Sequence, residues 1–226
     1  MIAAAGVRGV AVGRRVADSL FLLQCGCAIS LGLAQFRRML VSVEGVSITW
    51  LAFWVAFLAV NLGLAIRAHR AFASRIAQQT IMVYLLWTAL CGANLILLLC
   101  SPSAHWNTVD SVTAGITGGG VVTALALARW RSLRLTDPMV HATFAVFSKA
   151  VPQLTLAWNI YREGGAGISA VAFTAGHITI CMRLWQILLS IREAGWDRNR
   201  LAMAIGEVAN EASWIVATIA WLVSSR

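Results

Sequence analysis

The sequence predicts an all-α integral membrane protein with seven transmembrane helices. The first observation is composition, since 59% of the 226 residues are hydrophobic, 12% are charged and the mean hydropathy is +0.76. A soluble domain has a more even balance of apolar and charged residues. The second is a division of the chain into seven apolar runs, and the third is a motif that occurs in both halves. The last two observations predict the number of helices and their grouping.

Each apolar run has about 20 residues, the length that crosses a hydrocarbon core about 30 Å thick. The runs are 16–36, 46–66, 80–100, 109–128, 139–158, 168–191 and 203–223. The fourth run has the weakest apolar pattern, because Asp110 lies near its start and three glycines lie at 118–120. Glycines are tolerated in transmembrane helices, so we interpret the fourth run as a linker helix. The basic segment 1–15 resembles a signal peptide, but we predict that the first run is retained as a span.

The arginines cluster between the apolar runs and predict an orientation. Twelve lie at one end of the predicted bundle, at positions 8, 14, 15, 67, 70, 75, 129, 131, 134, 192, 198 and 200, and four lie at the other, at 37, 38, 162 and 226. The positive-inside rule places the N-terminus in the cytoplasm and the C-terminus outside. Richness in arginine and alanine indicates a bacterial plasma membrane. Nucleic-acid binding is excluded, because no basic domain stands apart from the spans.

The residues that would indicate catalysis or a metal are missing from the sequence pattern. The five cysteines lie in or at the ends of apolar runs and form no CxxC pair, so we interpret them as small buried apolar residues. No phosphate-binding loop and no nucleophile triad can be assembled. The sequence therefore predicts no enzyme, no metal site and no cofactor.

A short motif occurs once in each half of the chain. The second half contains Pro152-Gln153 and then Gly167-Ile168-Ser169, and the first contains Ala34-Gln35 and then Gly45-Val46-Ser47. Three runs surround each copy, so we predict repeats at 16–100 and 137–226, joined by a linker at 101–136. A single linker span restores the chain direction, which makes the two repeats parallel, as in one class of transporters.

These motifs resemble the PQ-loop family, within the superfamily of SWEET and SemiSWEET sugar transporters. The resemblance implies two parallel triple-helix bundles joined by a linker helix (3+1+3), and alternating access around a central solute site. It implies hinges at Pro152, Gln153 and Gln35. This chain departs from the family in having Ala34 in place of the first proline. It also departs in its arginine distribution, because SWEETs have their N-terminus outside.

The seventh run has a polar stripe that makes it a candidate wall of a site. Glu207, Asn210, Glu211 and Trp214 are spaced by three and four residues and share one helical face. The stripe either packs against neighbouring helices or faces a central cavity. The resemblance implies a solute-binding asparagine on the third helix of each bundle. Asn210 matches it in the second bundle and Asn94 loosely in the first, where loop length aligns Trp87 with Asn210 instead.

Other polar and aromatic residues inside the spans extend the candidate site. Trp54 and Asn61 share a face of the second run and form a platform for a sugar ring or another flat solute. Lys149 lies in the middle of the fifth run, where an ionised group is a functional candidate. We predict that it pairs with Glu207 or Glu211 during transport, the alternative being that it extends to the membrane interface. His177 either assists proton coupling or packs as a hydrogen-bonded neutral residue.

The sequence thus predicts a membrane transporter that moves a small polar solute by alternating access. A sugar is the simplest solute that the resemblance implies, and proton coupling is left open. The charges inside the spans also fit an amino acid or another charged metabolite. The lipid bilayer is the other predicted partner, and a homo-oligomer is left open. The alternative of another class is a receptor or scaffold that uses the same fold without transport.

Overall fold

The computed structural model describes the backbone of residues 2–134 and 137–224, and the side chains from residue 16 onward within those ranges. The arginines at 8, 14, 15 and 226, which contribute to the predicted orientation, lie outside the described side chains. The protein is 85% helical, and the described ranges contain no strand. The all-α prediction is confirmed.

Eight α-helices and one π-helical turn make up the described part of the chain. They are α1 (Ile2–Met39), α2 (Ile48–Ala71), α3 (Arg75–Cys100), α4 (Thr108–Trp130), α5 (Pro138–Ala145), the π-turn (Val146–Ala150), α6 (Val151–Glu163), α7 (Ala170–Ala194) and α8 (Arg198–Ser224). Five described helices are long and apolar enough to span a membrane, namely α1 from Val16, α2, α3, α4 and α7. The predicted fifth span is divided by the π-turn, and polar residues lower the hydropathy of α8.

The helices pack in the same order in both halves of the chain. In the first half, α3 packs against both α1 and α2, and in the second half α8 packs against both α6 and α7. The halves meet where α1 packs on α7 and where α2 packs on α6 and the π-turn. The helix α4 packs on α5, the π-turn and α6, with a smaller contact to α2. The middle of α2, α7, α8 and the π-turn therefore surrounds the centre of the molecule.

The π-turn lies directly before Pro152 and explains the break in the fifth span. A proline has no N–H, and its ring collides with the carbonyl four residues earlier, here that of Ser148. The helix relieves this by widening, so that the N–H of Val151 donates to the carbonyl of Val146. Such π-turns inside α-helices are frequent at functional sites. The widened turn carries Lys149, which is buried here with 6% of its side chain exposed.

The helices α2 and α7 start with the same cap but are anchored by different elements. Ser47 and Ser169 each accept a hydrogen bond from a backbone N–H in the first turn of the helix that follows. Gln35 of α1 then binds the loop before α7 across the two halves. Its Nε2 donates to the carbonyl of Gly167 at 2.9 Å, and its Oε1 accepts from the N–H of Ser169 at 3.1 Å.

A buried carboxylate, Asp110, anchors the start of α2 instead. Its Oδ1 accepts from Ser47 Oγ at 3.0 Å, from Thr49 Oγ1 at 2.7 Å and from the N–H of Thr49 at 3.3 Å. Its Oδ2 accepts from the N–H of Asn107, which completes a capping box at the start of α4. One side chain with no exposed surface thus joins α4 to α2. The sequence singled out Asp110 only as an irregularity of the linker helix.

Gly167 is a close-approach position between the halves, and we expect Gly167→Ala to lower the melting temperature. A Cβ atom there would lie 2.6 Å from the carbonyl oxygen of Glu44 and 2.7 Å from the carbonyl carbon of Val43, and neither backbone atom can rotate away. Overpacking of this kind costs about 1–3 kcal/mol.

The matched control for this prediction is Gly63→Ala in α2, where a Cβ meets nothing within 4 Å. That variant should be neutral or stabilised by about 0.5–1 kcal/mol, because alanine loses less entropy in a helix than glycine. Thermal unfolding of both variants in one detergent makes the comparison. Equal melting temperatures for the two would contradict the close packing at Gly167.

Candidate functional site

Two adjoining cavities lie between the halves of the molecule. The larger, the vestibule, has a volume of about 570 Å³, and the smaller, the deep cavity, has a volume of about 50 Å³. Phe57 and Arg183 line both of them. The deep cavity is lined further by residues of seven helical segments, namely Leu31, Trp54, Leu58, Trp87, Lys149, Gln153, Gly176, Thr179, Ile180, Asn210 and Trp214.

The vestibule opens at the end of the molecule where the arginine-rich loops lie. Its rim includes Thr80, Pro138, Ser190 and Asn199, which are close to the helix ends that those loops join. The opposite end, the sealed end, is packed with aromatic rings. Trp214 stacks on Trp50 with ring centroids 6.0 Å apart and contacts Phe173 at 4.9 Å. Aromatic rings therefore separate the two cavities from the opposite end.

Glu207 is the centre of a charge cluster between the vestibule and the deep cavity. Its Oε2 lies 3.5 Å from Lys149 Nζ, and its Oε1 accepts from Arg183 Nη1 at 3.2 Å. Asn210 Nδ2 also donates to Oε2 at 3.2 Å. The three ionised side chains come from α8, α7 and the π-turn, and at most 22% of each is exposed. One carboxylate thus balances two cations from two other elements.

The cluster continues through amide groups to the proline of the fifth span. Asn210 Oδ1 accepts from Gln153 Nε2 at 3.0 Å, and Ser213 Oγ donates to Gln153 Oε1. Gln153 follows Pro152, which is fully buried. This chain of hydrogen bonds couples the charge cluster to the π-turn region, so a rearrangement of one requires a rearrangement of the other.

Aromatic side chains form the apolar wall of the deep cavity. The ring of Trp54 lies 5.6 Å from that of Trp87, and Phe57 lies beneath Lys149 with its centroid 5.1 Å from Nζ. Trp214 Nε1 donates to the carbonyl of Phe173 at 3.2 Å. Trp87 is 4% exposed, and its Nε1 makes no hydrogen bond. A wall of this kind suits the flat or apolar part of a solute.

Of the ten residues predicted to bind solute or to carry charge, seven line these two cavities and three do not. Asn61 lines the vestibule, where its Oδ1 contacts His141 Nε2 at 3.0 Å. Asn94 instead donates to the carbonyls of Gly32 and Leu90 at 3.0 and 2.8 Å, which joins α3 to α1. Asn94 lines neither cavity, and the alignment of Trp87 with Asn210 by loop length describes the deep cavity better.

Glu211 and His177 form a separate pair between α7 and α8. His177 Nδ1 lies 2.7 Å from Glu211 Oε1, and its Nε2 lies 2.9 Å from Thr218 Oγ1. Neither residue is among those that line the vestibule or the deep cavity. Of the two glutamates that the sequence offered as partners for Lys149, the structure therefore places Glu207 at the lysine and Glu211 at the histidine.

Sequence reasoning missed two residues of the site, Arg183 and His141. Arg183 lies in the middle of α7 and pairs with Glu207. The available signal was the same as for Lys149, an ionised residue in the middle of a span. His141 lies in the first turn of α5, near the start of the fifth predicted run, and lines the vestibule. The described residues contain no group of three or more side chains that could hold a metal ion.

Comparison of the chain with family models, with curated protein sequences and with solved structures gives no match.

Proposed function

We propose that this protein is a membrane transporter that moves a small polar solute by alternating access. The observation that carries the proposal is a pair of cavities between the halves with a buried charge cluster between them, and with aromatic packing toward the opposite end. A receptor needs only the cavity. A transporter also needs an end that can open in exchange, and the sealed end consists of side-chain packing between helices of both halves, with no covalent barrier.

The proposed architecture is two parallel triple-helix bundles with α4 as linker. Three features support it: α3 and α8 each pack between the other two helices of their half, serines cap α2 and α7 alike, and the halves contain corresponding motifs. The fifth span, comprising α5, the π-turn and α6, then takes the position of α1. The resemblance to the PQ-loop family implies the same arrangement.

The proposed orientation follows from the arginine distribution and gives the cavity a direction. If the arginine-rich end faces the cytoplasm of a bacterial cell, the vestibule is open to the cytoplasm and the structure is the inward-facing state. Pro152 and Gln153 then act as the hinge of the second bundle. Gln35 ties the two halves together at the sealed end and has to release Gly167 and Ser169 when that end opens.

The proposal is least specific about the chemical class of the solute. The resemblance implies a sugar, and the faces of Trp54 and Trp87 would bind a sugar ring. The charges of Lys149, Arg183 and Glu207 favour an amino acid or another charged metabolite, because a neutral sugar needs no balancing charge. A proton-coupled mechanism would use the Lys149–Glu207 pair or the His177–Glu211 pair.

Solute counterflow in proteoliposomes tests the proposal. Vesicles loaded with unlabelled D-glucose, L-alanine or D-glucuronate should accumulate the labelled compound faster than empty vesicles for at least one of the three. Asn210→Ala should reduce that rate by about tenfold or more, because it removes hydrogen bonds to Glu207 and Gln153 and leaves both groups short of a partner.

The control for this experiment is Arg192→Gln, which removes one exposed arginine at the arginine-rich end and should leave counterflow unchanged. A solute that raises the melting temperature of the protein but is never exchanged would contradict transport and favour a receptor. Exchange that survives Asn210→Ala unchanged would place the transport path elsewhere.

A further inference from the structure

The deep cavity has more hydrogen-bond donors than acceptors left for a solute. Lys149 has three donors and Arg183 has five, and each has one described contact with Glu207. Trp87 adds an N–H that is buried without a partner. The side-chain oxygen of Gln153 accepts from Ser213, and that of Asn210 accepts from Gln153. The polar groups of the wall that remain available to a solute are therefore mainly hydrogen-bond donors.

The charge of the same wall points in the same direction. Among the described side chains that line the two cavities, Lys149 and Arg183 are cations and Glu207 is the only carboxylate. Tyr84 and His141 are the remaining titratable side chains of the vestibule. Glu211, the next carboxylate along α8, contacts His177 outside the cavities. Counted in their ionised forms, Lys149, Arg183 and Glu207 carry a net charge of +1.

An unbalanced charge at this depth is unfavourable because the side chains are largely removed from solvent, with at most 22% of each exposed. A solute with one negative charge would remove the imbalance. A carboxylate also brings two oxygens that accept several hydrogen bonds each, which matches the donors on the wall. Neutral sugars bring hydroxyl groups, which do not balance the charge.

We infer that the solute carries one carboxylate group, which binds in the deep cavity against Lys149, Arg183 and Trp87, while the rest of the molecule occupies the vestibule. The deep cavity, at about 50 Å³, exceeds the roughly 10–15 Å³ that a cavity needs to hold one water molecule. The vestibule has room for the body of a small metabolite. This inference rests on the proposed function, since it names the substrate class of the same site.

The test is thermal stabilisation of the full-length purified protein by matched pairs of compounds at constant ionic strength. D-glucuronate is compared with D-glucose, and L-lactate with L-lactamide, so that each pair differs in the carboxylate. At ten times its dissociation constant, at least one carboxylate should raise the melting temperature by about 3 °C, and its neutral partner should not. A titration with sodium chloride tests whether a simple anion raises the melting temperature to the same extent.

Variants of the wall show whether stabilisation arises at this site. Lys149→Met should weaken carboxylate binding by about tenfold or more, because it removes a charged donor. Trp87→Phe keeps the aromatic wall, removes only the indole N–H and should weaken binding by about threefold to tenfold. Arg192→Gln, an exposed arginine outside both cavities, should bind as the unmodified protein does. If Lys149→Met does not fold, the binding measured with Trp87→Phe decides whether stabilisation arises at this site.

Three results would overturn the inference: no carboxylate stabilises the protein, the neutral partners stabilise it equally, or chloride does so to the same extent. The counterflow experiment separates this inference from the proposed function. Exchange of D-glucose without any carboxylate binding leaves transport standing and overturns the carboxylate site. Carboxylate binding that depends on Lys149 but gives no exchange supports the site and overturns transport.

Discussion

Replacing Glu207 with glutamine is expected to destabilise the protein by about 3 kcal/mol or more. The substitution keeps the size of the side chain but leaves Lys149 and Arg183 buried without the carboxylate that each contacts. Removal of one partner from a buried ion pair is costly because the remaining charge is no longer compensated. Thermal unfolding in detergent and the yield of folded protein are the measurements.

A double-mutant cycle with Lys149→Met isolates the cause of that loss. In the Lys149→Met background, Glu207→Gln should lower the free energy of unfolding by less, because one buried cation instead of two is left without a carboxylate. Residues in direct contact show interaction energies of about 0.5–3 kcal/mol in such cycles. An identical cost in both backgrounds would mean that Glu207 acts through Arg183 or through packing, and that Lys149 makes no functional pair with it.

Asp110→Ala is expected to be the second most damaging substitution, with a loss of about 3 kcal/mol or more, because hydrogen bonds to charged groups contribute about 1.5–3 kcal/mol each. The carboxylate accepts from Ser47, Thr49 and Asn107 and has no exposed surface. Alanine leaves these donors inside the protein without an acceptor. The contact between α4 and α2 should loosen, which limited proteolysis of the loop before α4 would detect.

The matched control is Asp18→Ala, which removes a carboxylate that pairs with an exposed arginine. Asp18 contacts Arg75 at 3.0 Å, and 68% of the arginine side chain is exposed. Surface ion pairs contribute about 0–1 kcal/mol, so the melting temperature should change little. If Asp110→Ala is no more harmful than Asp18→Ala, the buried network does not hold α4 in place.

The positions of most of the helices follow from hydropathy alone. The first four and the last two predicted runs each lie within or overlap one helix of the structure, because a long apolar segment in lipid has to satisfy its backbone as a helix. The fifth run differs. A proline predicts a break in a helix, but the position and form of that break depend on how neighbouring helices accept the freed carbonyl, which the sequence does not contain.

Helical spacing predicted which residues of the site share a face, but not which residues pair between helices. Glu207, Asn210 and Trp214 were placed on one face by their spacing, and all three contact the central region. Spacing could not choose between Glu207 and Glu211 for Lys149, since that choice depends on the rotation of α8 against the π-turn. The role of Arg183 was missed for the same reason, because it depends on the rotation of α7.

The repeated motif predicted equivalence, but the two glutamines have different surroundings. Gln153 contacts Asn210 and Ser213 within its own half, whereas Gln35 binds Gly167 and Ser169 in the other half. The missing proline at Ala34 is consistent with this difference, since α1 continues as a regular helix through that position. A motif predicts which residues correspond, and the packing around each copy decides what they do.

The two hydrogen bonds of Gln35 to the other half affect which conformation the molecule populates without solute. Opening the sealed end has to break both of its hydrogen bonds and separate Trp50 from Trp214. Each intramolecular hydrogen bond contributes about 1 kcal/mol on average. Without solute, we therefore expect the ensemble to rest almost entirely with the vestibule accessible. In the proposed transport cycle, the opposite state would then be reached rarely, and the frequency of that opening would limit turnover.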